Sequence, residues 1–160
     1  MITPPDLIME SDASLKGWGA TCRGQTIQGH WTLEEQKDQI NALELRAIFL
    51  AIKGLLGQET DLHLLVKADN KTAVAHINKM GGTHSPKLVG IAKTLWEFCL
   101  ERRILLTAEY LPGTLNVTAD RLSREVPESS DWQLDLVMFR DLNAGVHVRS
   151  IFLQADGTTN

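Results

Sequence analysis

The pattern of apolar and polar residues opens with two short strand-like runs, Leu7–Asp12 and Gly17–Cys22, joined by a turn through Ser14, Leu15 and Lys16. A third run, Thr26–Trp31, follows the turn Arg23-Gly24-Gln25. Three short strands with tight connections predict an antiparallel meander. From Asn41 to Leu56 the spacing becomes that of a helix rich in Leu, Ala and Ile, with Gly57 as its stop. Leu62–Ala68 reads as an apolar run of strand length, which suits a strand covered on both faces. Asp69-Asn70 opens a second helix to about Lys79, closed by Gly81-Gly82, and a third spans Pro86 to Arg102. Ile104–Leu111 returns to strand, Pro112-Gly113 breaks it, and Asn116–Ser123 is a short helix with Asn116 as its cap. The order βββαβααβα predicts an α/β fold in which a mixed sheet, antiparallel first and parallel later, is flanked by helices.

After Arg124 the texture shifts. Pro127-Glu128-Ser129-Ser130 reads as a linker, dividing a domain over residues 1–126 from an extension over 127–160. Asp131–Asn143 predicts one more amphipathic helix, with Trp132, Leu136, Phe139 and Leu142 as its apolar positions. Nothing periodic follows Ala144.

At 160 residues, 43% hydrophobic and 22% charged, the chain has ordinary globular values and enough length for one real core. No apolar run has the length of a membrane span, and no basic-then-apolar leader stands at the start. Cys22 and Cys99 lack metal-ligand spacing and lie in apolar segments, which predicts reduced, buried thiols in an intracellular, non-secreted protein. The formal charge of −4 speaks against a nucleic-acid partner, unless some of the acids hold cations.

Four acids raise that possibility. Asp12 ends the first apolar run, Glu44 interrupts an apolar helix, Asp69 ends a strand, and Asp120 lies in the first turn of a short helix. Gathered on one spot they would repel one another unless cations held them, and hard oxygen ligands suit Mg²⁺ or Mn²⁺. Each also has an ordinary explanation. Glu44, on a face with Ala47, Ile48, Ala51 and Leu55, can be a first-turn acid answering the helix dipole near solvent. Asp69 can cap a helix, Asp12 can form a turn, and Asp120 can answer a dipole. The specificity lies in the set and its order.

In these motifs the chain resembles the ribonuclease H domain of a reverse transcriptase, particularly that of DIRS-type retrotransposons. The matching pieces are Ser11-Asp12-Ala13-Ser14 with Gly17-Trp18-Gly19-Ala20, and Ile40-Asn41-Ala42-Leu43-Glu44-Leu45. Ala68-Asp69-Asn70, Ile77-Asn78 with Gly81-Gly82, Leu111-Pro112-Gly113 and Asn116-Val117-Thr118-Ala119-Asp120-Arg121-Leu122-Ser123-Arg124 complete the match over residues 6–124. The resemblance implies an RNase H-like fold, a five-stranded mixed sheet with strands one to three antiparallel. It implies hydrolysis of the RNA strand of an RNA–DNA hybrid by two Mg²⁺ or Mn²⁺ ions, leaving 5′-phosphates, with Asp12, Glu44, Asp69 and Asp120 as catalytic metal ligands. It also implies an adjoining polymerase domain, and an isolated domain that is monomeric. Asn41 matches a position that contacts the hybrid's minor groove, though it can equally cap its helix. Asn70, Ser14 and Lys16 are further nucleic-acid contacts by position.

Two features depart from the family pattern. The loop Leu111-Pro112-Gly113-Thr114-Leu115 carries no His where relatives usually have one, and His84 lies in a different loop. Only Gly81 to Ser85 bridges the place where some relatives insert a basic helix, which implies a weak grip on nucleic acid. Trp18, Trp31 and Trp96 sit in apolar elements and predict core packing over base stacking. Two other functions remain compatible with the sequence: a catalytically silent module that supports a polymerase, and a DNA nuclease or integrase core on the same fold.

Overall fold

A computed structural model describes residues 3–79 and 85–125, and beyond them the backbone of three two-residue strands. The meander consists of β1 (Leu7–Ala13), β2 (Gly17–Cys22) and β3 (Gln25–His30), each antiparallel to the next. Local chemistry makes its turns. Ser14 Oγ accepts the N–H groups of Lys16 and Gly17, and Arg23 and Gly24 both take positive φ, the backbone twist a two-residue hairpin requires.

A 3₁₀ turn at Glu35–Lys37, which the apolar pattern does not reveal, leads into α1 (Ile40–Leu56). Thr32 and Glu35 exchange side-chain bonds to each other's backbone N–H there, at 2.9 and 3.1 Å. β4 (Leu62–Ala68) lies parallel to β1, and β5 (Ile104–Tyr110) parallel to β4. Between them run α2 (Lys71–Lys79) and α3 (Pro86–Glu101). α1 packs against both the sheet and α3, so Leu43, Leu45, Ile48, Ile52 and Leu55 are fully buried. Five such side chains, at about 1.5–3 kcal/mol each, keep α1 docked even though it carries a buried acid. β4 is covered less than its apolar run implied. Leu64, Val66 and Ala68 face the core, whereas on the other side His63 is buried but Leu65 and Lys67 are only half-buried.

The last helix of the domain, α4 (Val117–Arg124), rests on β2 and β1. Leu122 sits directly over Gly19, where a Cβ would lie 2.3 Å from the Leu122 Cβ; only a residue without a side chain admits this approach. Gln28 Nε2 donates to the Leu122 carbonyl at 2.9 Å. Asn116 stands before α4 but does not cap it. Its amide turns inward and donates to the Ser11 carbonyl at 2.8 Å, pinning the start of the helix to β1.

The five strands run β5-β4-β1-β2-β3, and β6 (Trp132–Gln133) extends the sheet antiparallel to β3. β7 (Arg140–Asp141) and β8 (Gly145–Val146) pair with each other. Trp132, Gln133, Arg140 and Asp141 are therefore strand where an amphipathic helix was expected. The rest of that predicted helix lies outside the described residues, as do Gly81-Gly82 and His84. No helix among the described residues is long and apolar enough to cross a membrane. Cys22 and Cys99 are free and buried. Trp18 and Trp31 form a buried tilted pair at 6.5 Å, and half-buried Trp96 donates to the Ile77 carbonyl at 2.9 Å.

Candidate metal centre

Strand register brings two of the four acids together. Ser11 and Ala68 are partners in the parallel β1–β4 pair, so the next residue on each strand, Asp12 and Asp69, emerges side by side. The carboxyl ends of parallel strands are where open α/β sheets place their sites. Glu44 arrives from α1, and its Oε1 accepts the Ala13 N–H at 3.2 Å. One carboxylate oxygen from each of Asp12, Glu44 and Asp69 lies within 4.8 Å of the others.

The ordinary explanations for these three acids fail in the structure. Glu44 is only 2% exposed, so it is no solvent-facing dipole partner. Asn70 is the capping residue of α2, since its Oδ1 accepts the Ala73 N–H at 2.8 Å; Asp69 is left to the site. Ser14 organises the first turn, and Asp12 remains in the strand, 3% exposed.

Electrostatics records the crowding. Burial, then the neighbouring Asp69 charge, pushes the Asp12 carboxyl up to about 7. Burial, then the charges of Asp12 and Asp69, pushes Glu44 up to about 9. Among the described residues, no Lys or Arg forms an ion pair with any of the three. Glu44 Oε2 is buried with no hydrogen-bond partner. An orphaned buried acceptor beside two more carboxylates is expensive unless a proton or a cation serves it. The donor set is entirely hard oxygen, and it fits a divalent cation of the Mg²⁺ or Mn²⁺ kind.

Asp120 does not join the three. It lies on the adjoining first turn of α4, partly exposed, with Oδ1 held by Arg124 Nε at 2.8 Å. It is near enough for its charge to contribute, least of the named causes, to the raised pKa of Asp12.

The expected nucleic-acid contacts divide. Asn41 is the second residue of α1 and does not cap it; its Oδ1 accepts from Asn70 Nδ2 at 2.8 Å, forming one amide cluster beside Asp69. Ser14 is committed to its turn and to α4, donating to the Ser123 carbonyl at 2.8 Å. Lys16 is exposed at the same turn. Two residues whose sequence context shows no part in the site also shape it. Ser123 donates to Asp12 Oδ2 at 3.0 Å, and its signal was its place three residues after Asp120, on one helix face. Gly113 lets the loop before α4 approach the site, since a Cβ there would lie 2.9 Å from Asp69 Oδ2.

A five-stranded mixed sheet with this strand order, three antiparallel strands leading and four helices flanking it, is the RNase H-like fold. Solved structures of that fold superpose on the chain at low sequence identity. LC11-RNase H1 in complex with RNA/DNA hybrid aligns with a TM-score of 0.63 and 19% identity, covering 73% of this chain and 93% of that one. The N-terminal RNase H domain of rv2228c from Mycobacterium tuberculosis gives 0.54 and 18%, covering 72% and 94%. RNase H1 from Halobacterium salinarum gives 0.56 and 14%, covering 72% and 92%. No protein-family model and no curated protein matches the sequence.

Proposed function

We propose that the chain is a metal-dependent endonuclease that hydrolyses the RNA strand of RNA–DNA hybrids, acting inside the cell as the ribonuclease H domain of a DIRS-type retroelement reverse transcriptase. The observation that carries the chemistry is the convergence of Asp12, Glu44 and Asp69, one carboxylate oxygen from each lying within 4.8 Å of the others, in a cluster where Glu44 Oε2 is buried without a hydrogen-bond partner. The substrate reading is supported by fold neighbours named as RNase H1, one of them in complex with a hybrid. The retroelement reading, with its adjoining polymerase domain, is supported by the motif resemblance from Ser11 to Arg124.

Asp12, Glu44 and Asp69 would hold one divalent ion, and Asp120 would complete a second when released from Arg124. When bound, such a pair supplies Lewis-acid stabilisation to the attacking and leaving oxygens of an in-line displacement at phosphorus. The chain's own residues do the remainder. On binding a cation, Asp12 and Glu44 would release to solvent the protons that burial and crowding favour. The Asn41–Asn70 cluster offers amide donors and acceptors to the 2′-hydroxyls of a wide minor groove, the feature that separates a hybrid from duplex DNA. Lys16 supplies a phosphate contact at the β1–β2 turn.

The test is cleavage of labelled hybrid, duplex RNA and duplex DNA by the purified chain with Mg²⁺ or Mn²⁺. Hybrid cleavage that Asp69→Asn abolishes is the expected result. Binding of hybrid without cleavage would replace this reading with a silent supporting module. Cleavage of DNA with the hybrid left intact would replace it with a DNA nuclease.

A further inference from the structure

The Ser123 hydroxyl is fully buried and lies 3.0 Å from Asp12 Oδ2 and 2.8 Å from the Asp120 carbonyl oxygen. It has one proton to give. An ionised carboxylate takes it in preference to a neutral carbonyl, because charge-assisted bonds are roughly twice as strong. The bond fixes the rotation of the Asp12 carboxylate, which has no cationic side chain paired with it among the described residues. Ser123 is itself held on several sides. Its carbonyl accepts from Ser14 Oγ at 2.8 Å, and the Ser14 carbonyl accepts from Trp31 Nε1 at 2.8 Å. The preceding carbonyl, that of Leu122, is held by Gln28, and Leu122 is seated over Gly19. A buried indole, a turn and a helix end thus form one hydrogen-bonded line that finishes on a carboxylate of the candidate metal centre.

Resting on the metal-site reading above, we infer that Ser123 is a positioning residue: its hydroxyl holds Asp12 in the orientation that lets it share an ion with Glu44 and Asp69. A merely structural serine would affect folding alone. A positioning serine sets the affinity of the site, and groups that orient metal ligands typically change it by about 10–100-fold when removed.

The experiment titrates Mn²⁺ into the full chain without nucleic acid, following the free-ion paramagnetic resonance signal, and measures the melting temperature in chelator alongside. Ser123→Ala and Ser123→Cys, the latter keeping the space but only a weak donor, are expected to weaken Mn²⁺ binding about tenfold or more. Ser123→Thr, which restores a hydroxyl, is expected to return the affinity to within about threefold of the unmodified chain. If Ser123→Ala does not fold, Ser123→Cys decides. An unmodified chain that binds Mn²⁺ and cleaves hybrid, with Ser123→Ala or Ser123→Cys binding equally well, overturns the positioning role and leaves the proposed activity standing. An unmodified chain that binds no Mn²⁺ overturns both.

Discussion

Asp12 and Asp69 stand side by side because Ser11 and Ala68, the residues before them, are partners in a parallel strand pair. Among the described residues neither acid is paired with a Lys or Arg, and Glu44 closes on them from α1.

Stability of the metal-free chain should fall as pH rises. The folded-state values of Asp12 and Glu44, about 7 and about 9, lie above the ordinary 3.8 and 4.5. The native state therefore keeps protons that the unfolded chain has released, and wherever the unfolded state binds fewer protons stability decreases with pH. The contribution is complete below about pH 4 and is lost as pH passes through the two raised values. Melting temperatures in chelator should drop by several degrees between about pH 5 and 9. Millimolar Mg²⁺ should restore more at the alkaline end, since carboxylate ligands must be ionised to bind it. A flat or rising profile in chelator would contradict the crowding of these acids.

Gly19→Ala should destabilise the fold by about 1–3 kcal/mol, as overpacking does, because its Cβ meets Leu122 and must displace α4. Gly90→Ala is the matched control: nothing lies within 4 Å of a Cβ there, in the middle of α3. It should stabilise by about 0.5–1 kcal/mol. Urea midpoints of the two variants should move in opposite directions.

Arg124→Ala should release Asp120 at little structural cost. The pair is four residues apart on an exposed helix face, where such bridges are worth about 0.3–0.5 kcal/mol. Removing a guanidinium from beside the acids should lower the Mg²⁺ concentration needed for half-maximal cleavage. An unchanged or higher requirement would mean that Arg124 does not compete with an ion for Asp120.

Hybrid binding should be weak and should depend only shallowly on salt. The chain carries a formal charge of −4, and Lys16 is the one cation assigned here to phosphate. The slope of log affinity against log salt is about −0.9 per phosphate contact, so one or two contacts lose only about tenfold or less between about 50 and 200 mM. Anisotropy titrations with the Asp69→Asn variant at about 50 and 200 mM salt would measure this, and a loss of about a thousandfold or more would refute it.

Glu44 was legible by itself, because a carboxylate flanked by Leu43 and Leu45 is conspicuous by its cost, whereas Asp12 and Asp69 stood out only through their order along the chain. The strand bounds Gly17–Cys22 and Leu62–Ala68 were legible for the complementary reason, since turn residues frame them. The side-chain amides were not. Asn41 and Asn116 stand where caps stand, yet one serves Asn70 and the other a carbonyl 105 residues upstream. No local propensity encodes a partner so distant. Ser123 escaped for the same reason, its acceptor Asp12 lying 111 positions earlier. Asp120 was read as a ligand from its place in a motif, while its geometry depends on an arginine one helical turn later.

The parallel seam between β1 and β4 also gives the site a place in the folding timetable. Parallel pairs join distant segments and form slowly, and here nothing is assembled until positions 12, 44 and 69 have all met. An ion captured by these carboxylates would therefore touch the native state and little before it. It should slow the rate of unfolding while leaving the rate of folding nearly unchanged, so that a loaded domain is protected by how seldom it opens rather than by how quickly it closes.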